Sequence, residues 1–416
     1  MLPSLFFVLQ KYGSGTMTER QLTAAMRTRK VNPFKVMDVL ERARQLESAG
    51  RSIVHLEVGE PDFTAHPLIV EAAVRAMRSG KTQYTPASGL PALRERIAQF
   101  YSQHHGVQVD VSRIIVTPGA SGALVLLSNL LLNPSDQVMM PDPAYPCNRN
   151  YVHLMGAEAV LIAPETPGLA APTTAQLDAA YNESSKGLWL ASPANPTGAV
   201  IDATRMSELS DWTRQRGMHL VMDEIYHGLD FVKPVADVTP MGDLPTALKF
   251  DDNNFVINSF SKYFGMTGWR VGWVVVPQAF SEMANILAQN LFIAASTPSQ
   301  YAALHAFDDD VTGVLEERRS EFRQRRDFLA SALQHIGFSL PWQPQGAFYC
   351  YADIGAFADD CELFCQQMLE QHGVAMTPGT DFGQHQARRY VRLAYTRSMP
   401  DLELAAQRIV DALQSR

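Results

Sequence analysis

Cysteine is scarce in this chain, with 4 in 416 residues. Cys361 and Cys365 lie i, i+4 apart in a segment of helical character, and Cys147 and Cys350 stand alone. No second pair and no histidine at ligand spacing completes a zinc site, and a chain of this length does not need a disulfide framework. Buried, reduced thiols in a cytoplasmic protein are expected. An excess of positive charge is also missing. Lys and Arg total 35 against 43 Asp and Glu, a formal net charge of −8. Without a basic stretch interleaved with aromatics, a nucleic-acid partner is disfavoured. Long apolar runs are absent too. Leu5-Phe6-Phe7-Val8-Leu9 is too short to span a bilayer, and no positive charge precedes it as in a signal peptide. Residues 1–16 read as a tail or an upstream extension before the polar start at Met17. The run 124–132 is broken by Ser128 and Asn129 and reads as a buried helix. No internal repeat and no low-complexity tract is present.

What the chain does have is apolar mass. Its hydrophobic content is 46%, enough for a large core and two domains. Residues 34–49 show helical periodicity and stop at Gly50, and 53–58 is a short strand-like run. From about residue 68 to 300, two periodicities alternate. Strand-like runs fall at 113–117, 137–140, 159–162, 187–191, 219–223, 255–258 and 271–276. Helical patterns at 120–132, 145–155, 174–182 and 203–216 separate most of them. Such alternation predicts an α/β domain around a mainly parallel sheet, here of seven strands, flanked by helices. A long, charge-rich helix is expected across 280–330, carrying the boundary to a smaller α+β domain with strands near 347–351 and 390–395. The expected division is an extension (1–30), an arm with part of the small domain (31–65), a large domain (66–305) and a small domain (306–416). In open sheets of this kind, ligands collect at the carboxyl ends of the strands.

The chemistry is concentrated in Ser259-Phe260-Ser261-Lys262-Tyr263-Phe264-Gly265-Met266-Thr267-Gly268-Trp269-Arg270. A lysine amine condenses with an aldehyde best where its charge is destabilised. Ser259, Ser261 and Arg270 are the group types that hold a phosphate. Aldehyde capture beside phosphate binding points to pyridoxal phosphate. A lysine in a Ser/Gly-rich loop is also compatible with plain solvated surface. Gly119-Ala120-Ser121-Gly122 has the form of an anion cradle at a helix N-terminus, or of an ordinary strand-to-helix turn. Asp223, at the end of a strand, serves either as a helix cap or as the carboxylate that keeps a pyridine nitrogen protonated. Asn195, in Asn195-Pro196-Thr197-Gly198, marks a turn, and its amide can donate to a phenolate oxygen. Tyr226 can do the same, while Tyr145 can stack on a ring or simply pack. Arg392 alternates with apolar residues, so it faces inward toward either a salt-bridge partner or a substrate carboxylate.

Taken in order, the Gly59-Glu60-Pro61-Asp62-Phe63 run, the Gly119 cradle, Asn195-Pro196-Thr197-Gly198, Asp223-Glu224-Ile225-Tyr226, Ser261-Lys262, Gly268-Trp269-Arg270 and Arg392 resemble the class I aminotransferases, the aspartate-type bacterial enzymes in particular. The resemblance runs from about residue 30 to the C-terminus. It implies that Lys262 is the Schiff-base lysine and Asp223 the pyridinium partner. It implies that Asn195 and Tyr226 bond the phenolic oxygen, and that Ala120, Ser121, Ser259, Ser261 and Arg270 hold the phosphate. Tyr145 would stack on the ring, and Arg392 would bind the α-carboxylate with Gly59 and Asn195. Tyr84 resembles the tyrosine that reaches the phosphate of a neighbouring subunit, implying a homodimer with shared active sites. No metal is implied. One departure stands out. Aspartate-favouring relatives carry a lysine in the cradle where this chain has Ser121, and Phe34 and Val36 of the N-terminal segment are apolar. An apolar or small donor is therefore expected, with 2-oxoglutarate and glutamate as the shared pair. A β-eliminating lyase would use the same lysine, and a non-catalytic regulator would need an added DNA-binding domain.

Overall fold

The computed structural model describes residues 22–233, 237 and 239–414; the run at residues 5–9 and the expected tail lie outside them. Helix α1 (Lys35–Ser48) leads into strand β1 (Val54–His55), then α2 (Pro67–Arg78) and α3 (Pro91–Phe100). Pro67 and Pro91 each open a helix, where the missing N–H costs no hydrogen bond. Strand β2 (Ile114–Thr117), α4 (Gly119–Leu131), β3 (Gln137–Pro141), α5 (Pro146–Leu154), β4 (Glu158–Ile162), α6 (Thr174–Ala180), β5 (Ser185–Ala191), α7 (Ala203–Gln215), β6 (His219–Asp223), β7 (Phe255–Ser259) and β8 (Gly272–Val275) follow in alternation. These strands form one seven-stranded sheet in the order β2-β8-β7-β6-β5-β3-β4. It is mainly parallel; β8 alone is reversed, pairing antiparallel with both β2 and β7.

Both faces of the sheet are buried, which is why its strands read as nearly continuous apolar runs. Val138 and Met140 face a core that includes Leu124 and Leu127 of α4, while Met139 between them joins the core on the opposite face. Each such side chain contributes about 1.5–3 kcal/mol of burial free energy.

The expected long helix across 280–330 is three helices: α8 (Ser281–Leu291), α9 (Thr297–Ala303) and α10 (Asp309–Ile336). Ile293 adopts φ 63°, and Pro298 in the first turn of α9 removes a donor that a continuous helix would need. The strand-like run 53–58 yields a two-residue ladder, although Leu56 still donates to the Ala375 carbonyl. A three-stranded antiparallel sheet closes the C-terminal part: β9 (Tyr349–Asp353), β11 (Thr377–Pro378) and β12 (Tyr390–Ala394), in the order β11-β12-β9. Helices α11 (Cys361–His372) and α12 (Met399–Gln414) complete it, and β10 (Val374–Ala375) pairs in parallel with β1. All four cysteines are free. Among the described residues no helix is long and apolar enough to cross a membrane.

Helix α10 is anchored to the sheet region by Arg319. This buried guanidinium donates from Nε and Nη2 to the Asp230 carbonyl at 3.1 and 2.8 Å and from Nη2 to Asp230 Oδ1 at 3.1 Å. Asp230 is itself fully buried. Replacing Arg319 by Met should leave that carboxylate uncompensated and cost about 3–5 kcal/mol, read as a lowered urea midpoint.

Candidate active site

Strand ends bring the site together. Gly119 follows β2, Asn195 follows β5, Asp223 ends β6 and Ser259 ends β7. Because β8 is reversed, its start also lies at this edge, with Arg270 just before it. Beneath the edge is a cavity of about 350 Å³. Gly59, Ala120, Ser121, Tyr145, Asn195, Asp223, Tyr226, Ser259, Ser261, Lys262, Arg270 and Arg392 all line it. Tyr84 does not; it is 82% exposed on the surface.

Lys262 Nζ donates to the Gly59 carbonyl at 2.7 Å and lies 5.8 and 5.5 Å from the ring centroids of Tyr226 and Phe348. Burial lowers its pKa to about 8, and the nearby Arg392 charge acts in the same direction. Asp223 is buried, and its Oδ1 accepts from the Ile225 amide at 3.1 Å. Desolvation lifts its pKa to about 7, against the opposing pull of that amide and of Lys262. A group that brings positive charge to this carboxylate would be held strongly. Tyr226 is buried, with its hydroxyl 3.0 Å from that of Tyr349.

The loop after β7 is organised for an anion. Ser259 Oγ donates to Ser261 Oγ at 2.9 Å and accepts from the Ser261 amide at 3.1 Å. Arg270 takes a left-handed conformation, φ 51°, and donates from Nη1 to the Thr267 carbonyl at 2.9 Å. Glycine is required at two neighbouring points. A Cβ on Gly119 would fall 2.7 Å from Arg270 Nη2, and one on Gly272 would fall 3.0 Å from the Gly119 carbonyl carbon. The start of α4 therefore lies close beside Arg270, an arrangement that suits a phosphate. Tyr145 meets Phe34 edge to face at 5.9 Å.

Arg392 is 2% exposed, and no carboxylate lies within ion-pair distance of it among the described residues, so the salt-bridge alternative is removed. Nη1 donates to Asn195 Oδ1 at 2.9 Å, Nη2 donates to the Glu57 carbonyl, and Nε has no partner. The guanidinium lies over the rings of Tyr349 and Phe382, 4.3 and 4.7 Å from their centroids.

Sequence reasoning overlooked Tyr349. Its hydroxyl sits so close to Gly59 that a Cβ there would be 1.7 Å away, which explains that glycine. Its placement within a strand-like run was readable from the sequence, but its pairing with Tyr226, 123 positions earlier, was not. Met37 was missed as well and lines the cavity with Phe34 and Val36.

A reactive lysine, a desolvated carboxylate and a phosphate cradle in one cavity fit a phosphorylated aromatic aldehyde. The comparisons with known proteins agree. The chain belongs to the class I and II aminotransferases, whose family model matches residues 51–409. It is 35% identical over 386 residues to a valine–pyruvate aminotransferase of Mycobacterium tuberculosis, covering 93% of this chain and 97% of that protein. It is 34% identical to an aspartate aminotransferase of Streptomyces avermitilis, covering 94% and 96%. The crystal structure of an aminotransferase from Mycobacterium tuberculosis superposes with a TM-score of 0.90 at 34% identity, covering 95% of this chain and 100% of that one. The protein is thus a pyridoxal-phosphate-dependent aminotransferase.

Lys262 has its pKa lowered from 10.5 to about 8, so the folded chain binds fewer protons than the unfolded chain between those values. Its contribution to stability therefore rises with pH across that window. Capture of pyridoxal phosphate by the cofactor-free protein should rise along a curve with a midpoint near 8, followed by absorbance, and Lys262→Ala should abolish it.

Proposed function

We propose that this cavity exchanges an amino group between an apolar or small L-amino acid and a 2-oxo acid, with 2-oxoglutarate and glutamate as one pair. The observation that carries the reading is Arg392, a buried guanidinium without a carboxylate, beside an apolar wall. It is placed to grip the substrate α-carboxylate, with Nε free to donate. Phe34, Val36, Met37, Leu124 and Ile225 supply the wall. The cations lining the cavity are Lys262, Arg270 and Arg392, and each already has a task. Among the described residues no further cation lines it to receive a side-chain carboxylate, and Ser121 stands in the cradle. The similarity to a valine–pyruvate aminotransferase supports the same donor class.

When bound, pyridoxal phosphate supplies an electron-withdrawing ring that takes up the electron pair left as the substrate α-carbon loses its proton. The chain's own groups divide the remaining work. Lys262 Nζ would hold the aldehyde carbon of the cofactor, and its free amine would be the group placed to move the substrate α-proton; positioned acid–base transfer typically contributes ~10²–10⁴-fold. Asp223 would hold a positive ring nitrogen. Asn195 and Tyr226 would donate to the phenolic oxygen, and Tyr145 would pack against the ring. Ala120 and Ser121, through the start of α4, join Ser259, Ser261 and Arg270 around the phosphate. Gly59 leaves room for Tyr349 and orients Lys262 through its carbonyl.

The exposed Tyr84 fits a phenol that serves a second copy's phosphate, so the proposed assembly is a homodimer with shared sites. The four free cysteines favour the cytoplasm. The proposed division is an arm with part of the small domain at 31–65, a cofactor-binding domain at 66–305 and a small domain at 306–416.

A donor scan against pyruvate and 2-oxoglutarate should place valine, leucine, phenylalanine or alanine well above aspartate, and the opposite ranking would overturn the donor class. Arg392→Ala should lower kcat/KM for every amino acid by roughly 10- to 100-fold, mainly through KM. Ser121→Lys should shift the ranking toward aspartate.

A further inference from the structure

Helix α1 starts without a cap of its own, since the Phe34 side chain makes no bond to the first turn. The first helical amide, on Lys35, donates instead to Asp381 Oδ1 at 3.1 Å, from a residue 346 positions away. Asp381 is 1% exposed, and among the described residues its Oδ2 has no hydrogen-bond partner. A carboxylate at the positive end of a helix satisfies an orphan donor and is itself stabilised there. Burial raises its pKa, while the Lys35 and Val36 amides and the Arg392 and Arg149 charges oppose the rise.

Residues on either side of this contact reach the active site. Phe34, Val36 and Met37, at the start of α1, line the cavity. Val36 packs in a cluster with Tyr351, Phe382 and Tyr390. Phe382 follows Asp381 in the chain and lies under the Arg392 guanidinium. Thr377, four residues earlier, pairs with Arg392 in the sheet. One short turn therefore carries both the bed of the substrate-carboxylate arginine and the anchor of the apolar wall.

We infer that Asp381 is a positioning residue for donor selectivity: its carboxylate seats the first turn of α1 against the cavity and holds Phe34, Val36 and Met37 where the substrate side chain meets them. This rests on the apolar donor class proposed above. Asp381 does not line the cavity; it reaches the substrate side chain through α1, while its longer-range effect on the Arg392 charge acts on every donor alike. The Lys35 side chain makes a separate attachment, from Nζ to Glu362 Oε1 at 2.6 Å and to Thr380 Oγ1 at 2.9 Å.

The two attachments can be separated in the holoenzyme. Lys35→Pro deletes the amide that donates to Asp381 Oδ1 and leaves that of Val36, at a helix position that proline favours, after a residue already extended at φ −95°, ψ 93°. Lys35→Ala deletes only the side-chain bonds. With 2-oxoglutarate as acceptor, Asp381→Ala and Lys35→Pro should each raise KM for leucine about tenfold, the scale of a lost helix cap. Turnover with leucine should hold within about twofold and kcat/KM for alanine within about threefold, because alanine does not reach the wall. Lys35→Ala should match the wild type, and the double variant Asp381→Ala/Lys35→Pro should be no worse than either single. Equal losses for leucine and alanine would reduce Asp381 to a structural role and overturn the inference. So would a wild-type Lys35→Pro, which also serves should Asp381→Ala fail to fold. A wild type that prefers aspartate to leucine defeats the donor class instead, while the leucine-to-alanine ratio in the variants still judges Asp381.

Discussion

The site depends on charges that share a small cavity without being neutralised by direct ion pairs. Lys262 and Arg392 both line it, and among the described residues neither has a carboxylate within ion-pair distance. An isolated buried charge is costly, by several kcal/mol even after relaxation. Here backbone and amide dipoles carry that load. The Gly59 carbonyl holds Lys262, and Asn195 with the Glu57 carbonyl holds Arg392. Dipoles offset only part of the desolvation, so the cavity retains an unmet demand for anions near Arg392 and Arg270. A phosphate and a carboxylate meet that demand, while an uncharged ligand would leave it unmet.

Holding these groups apart is the work of the sheet. Parallel strands deliver their last residues to one edge, and the spacing between strands sets the spacing between Asn195, Asp223 and Ser259. A uniformly parallel sheet would bring only strand ends there. Reversal of β8 adds a strand beginning, which places Arg270 and Gly272 beside the Gly119 turn. The cradle is thus a product of topology as much as of its glycines.

The parts of the molecule governed by local rules were readable from the residues. All seven large-sheet strands were legible within a few residues, because both faces are buried and each run is bounded by turn residues. The Lys262 loop, the Gly119 turn and Asp223 at a strand end followed from residue chemistry and spacing. What escaped depends on distant partners. Tyr349 acquires meaning only against Gly59 and Tyr226, and Asp381 only against an amide on α1. The stretch 280–330 misled for a different reason. Its helical character persists across two breaks: Pro298 marks the first, where Ile293 turns without a glycine, and neither glycine nor proline marks the second, at 304–308. Arg392 left two readings open in the sequence; among the described residues no carboxylate lies within ion-pair distance of it, which speaks against the salt bridge.

Two adjacent carboxyl groups at the end of β6 show how environment assigns roles. Glu224 is fully buried, and Oε1 accepts from the Ala247 amide at 2.7 Å and from the Thr246 hydroxyl at 3.1 Å. Burial nevertheless lifts its pKa to about 8, with the neighbouring Asp223 charge adding to the rise. His227, 3.6 Å away, is driven by burial well below its usual value and stays uncharged, so it supplies no compensating cation. The raised pKa favours the protonated form of Glu224. Asp223 differs in facing the cavity, where Lys262 already pulls against its desolvation. A positive ring nitrogen placed there would lower its pKa further, because opposite charges in a poorly solvated site favour the ionised pair. A neutral Glu224 also avoids a second negative charge competing for that ring. With a positive ring nitrogen in place, the pair would divide into one anion and one spectator, a division set by which side of the strand end meets the cavity.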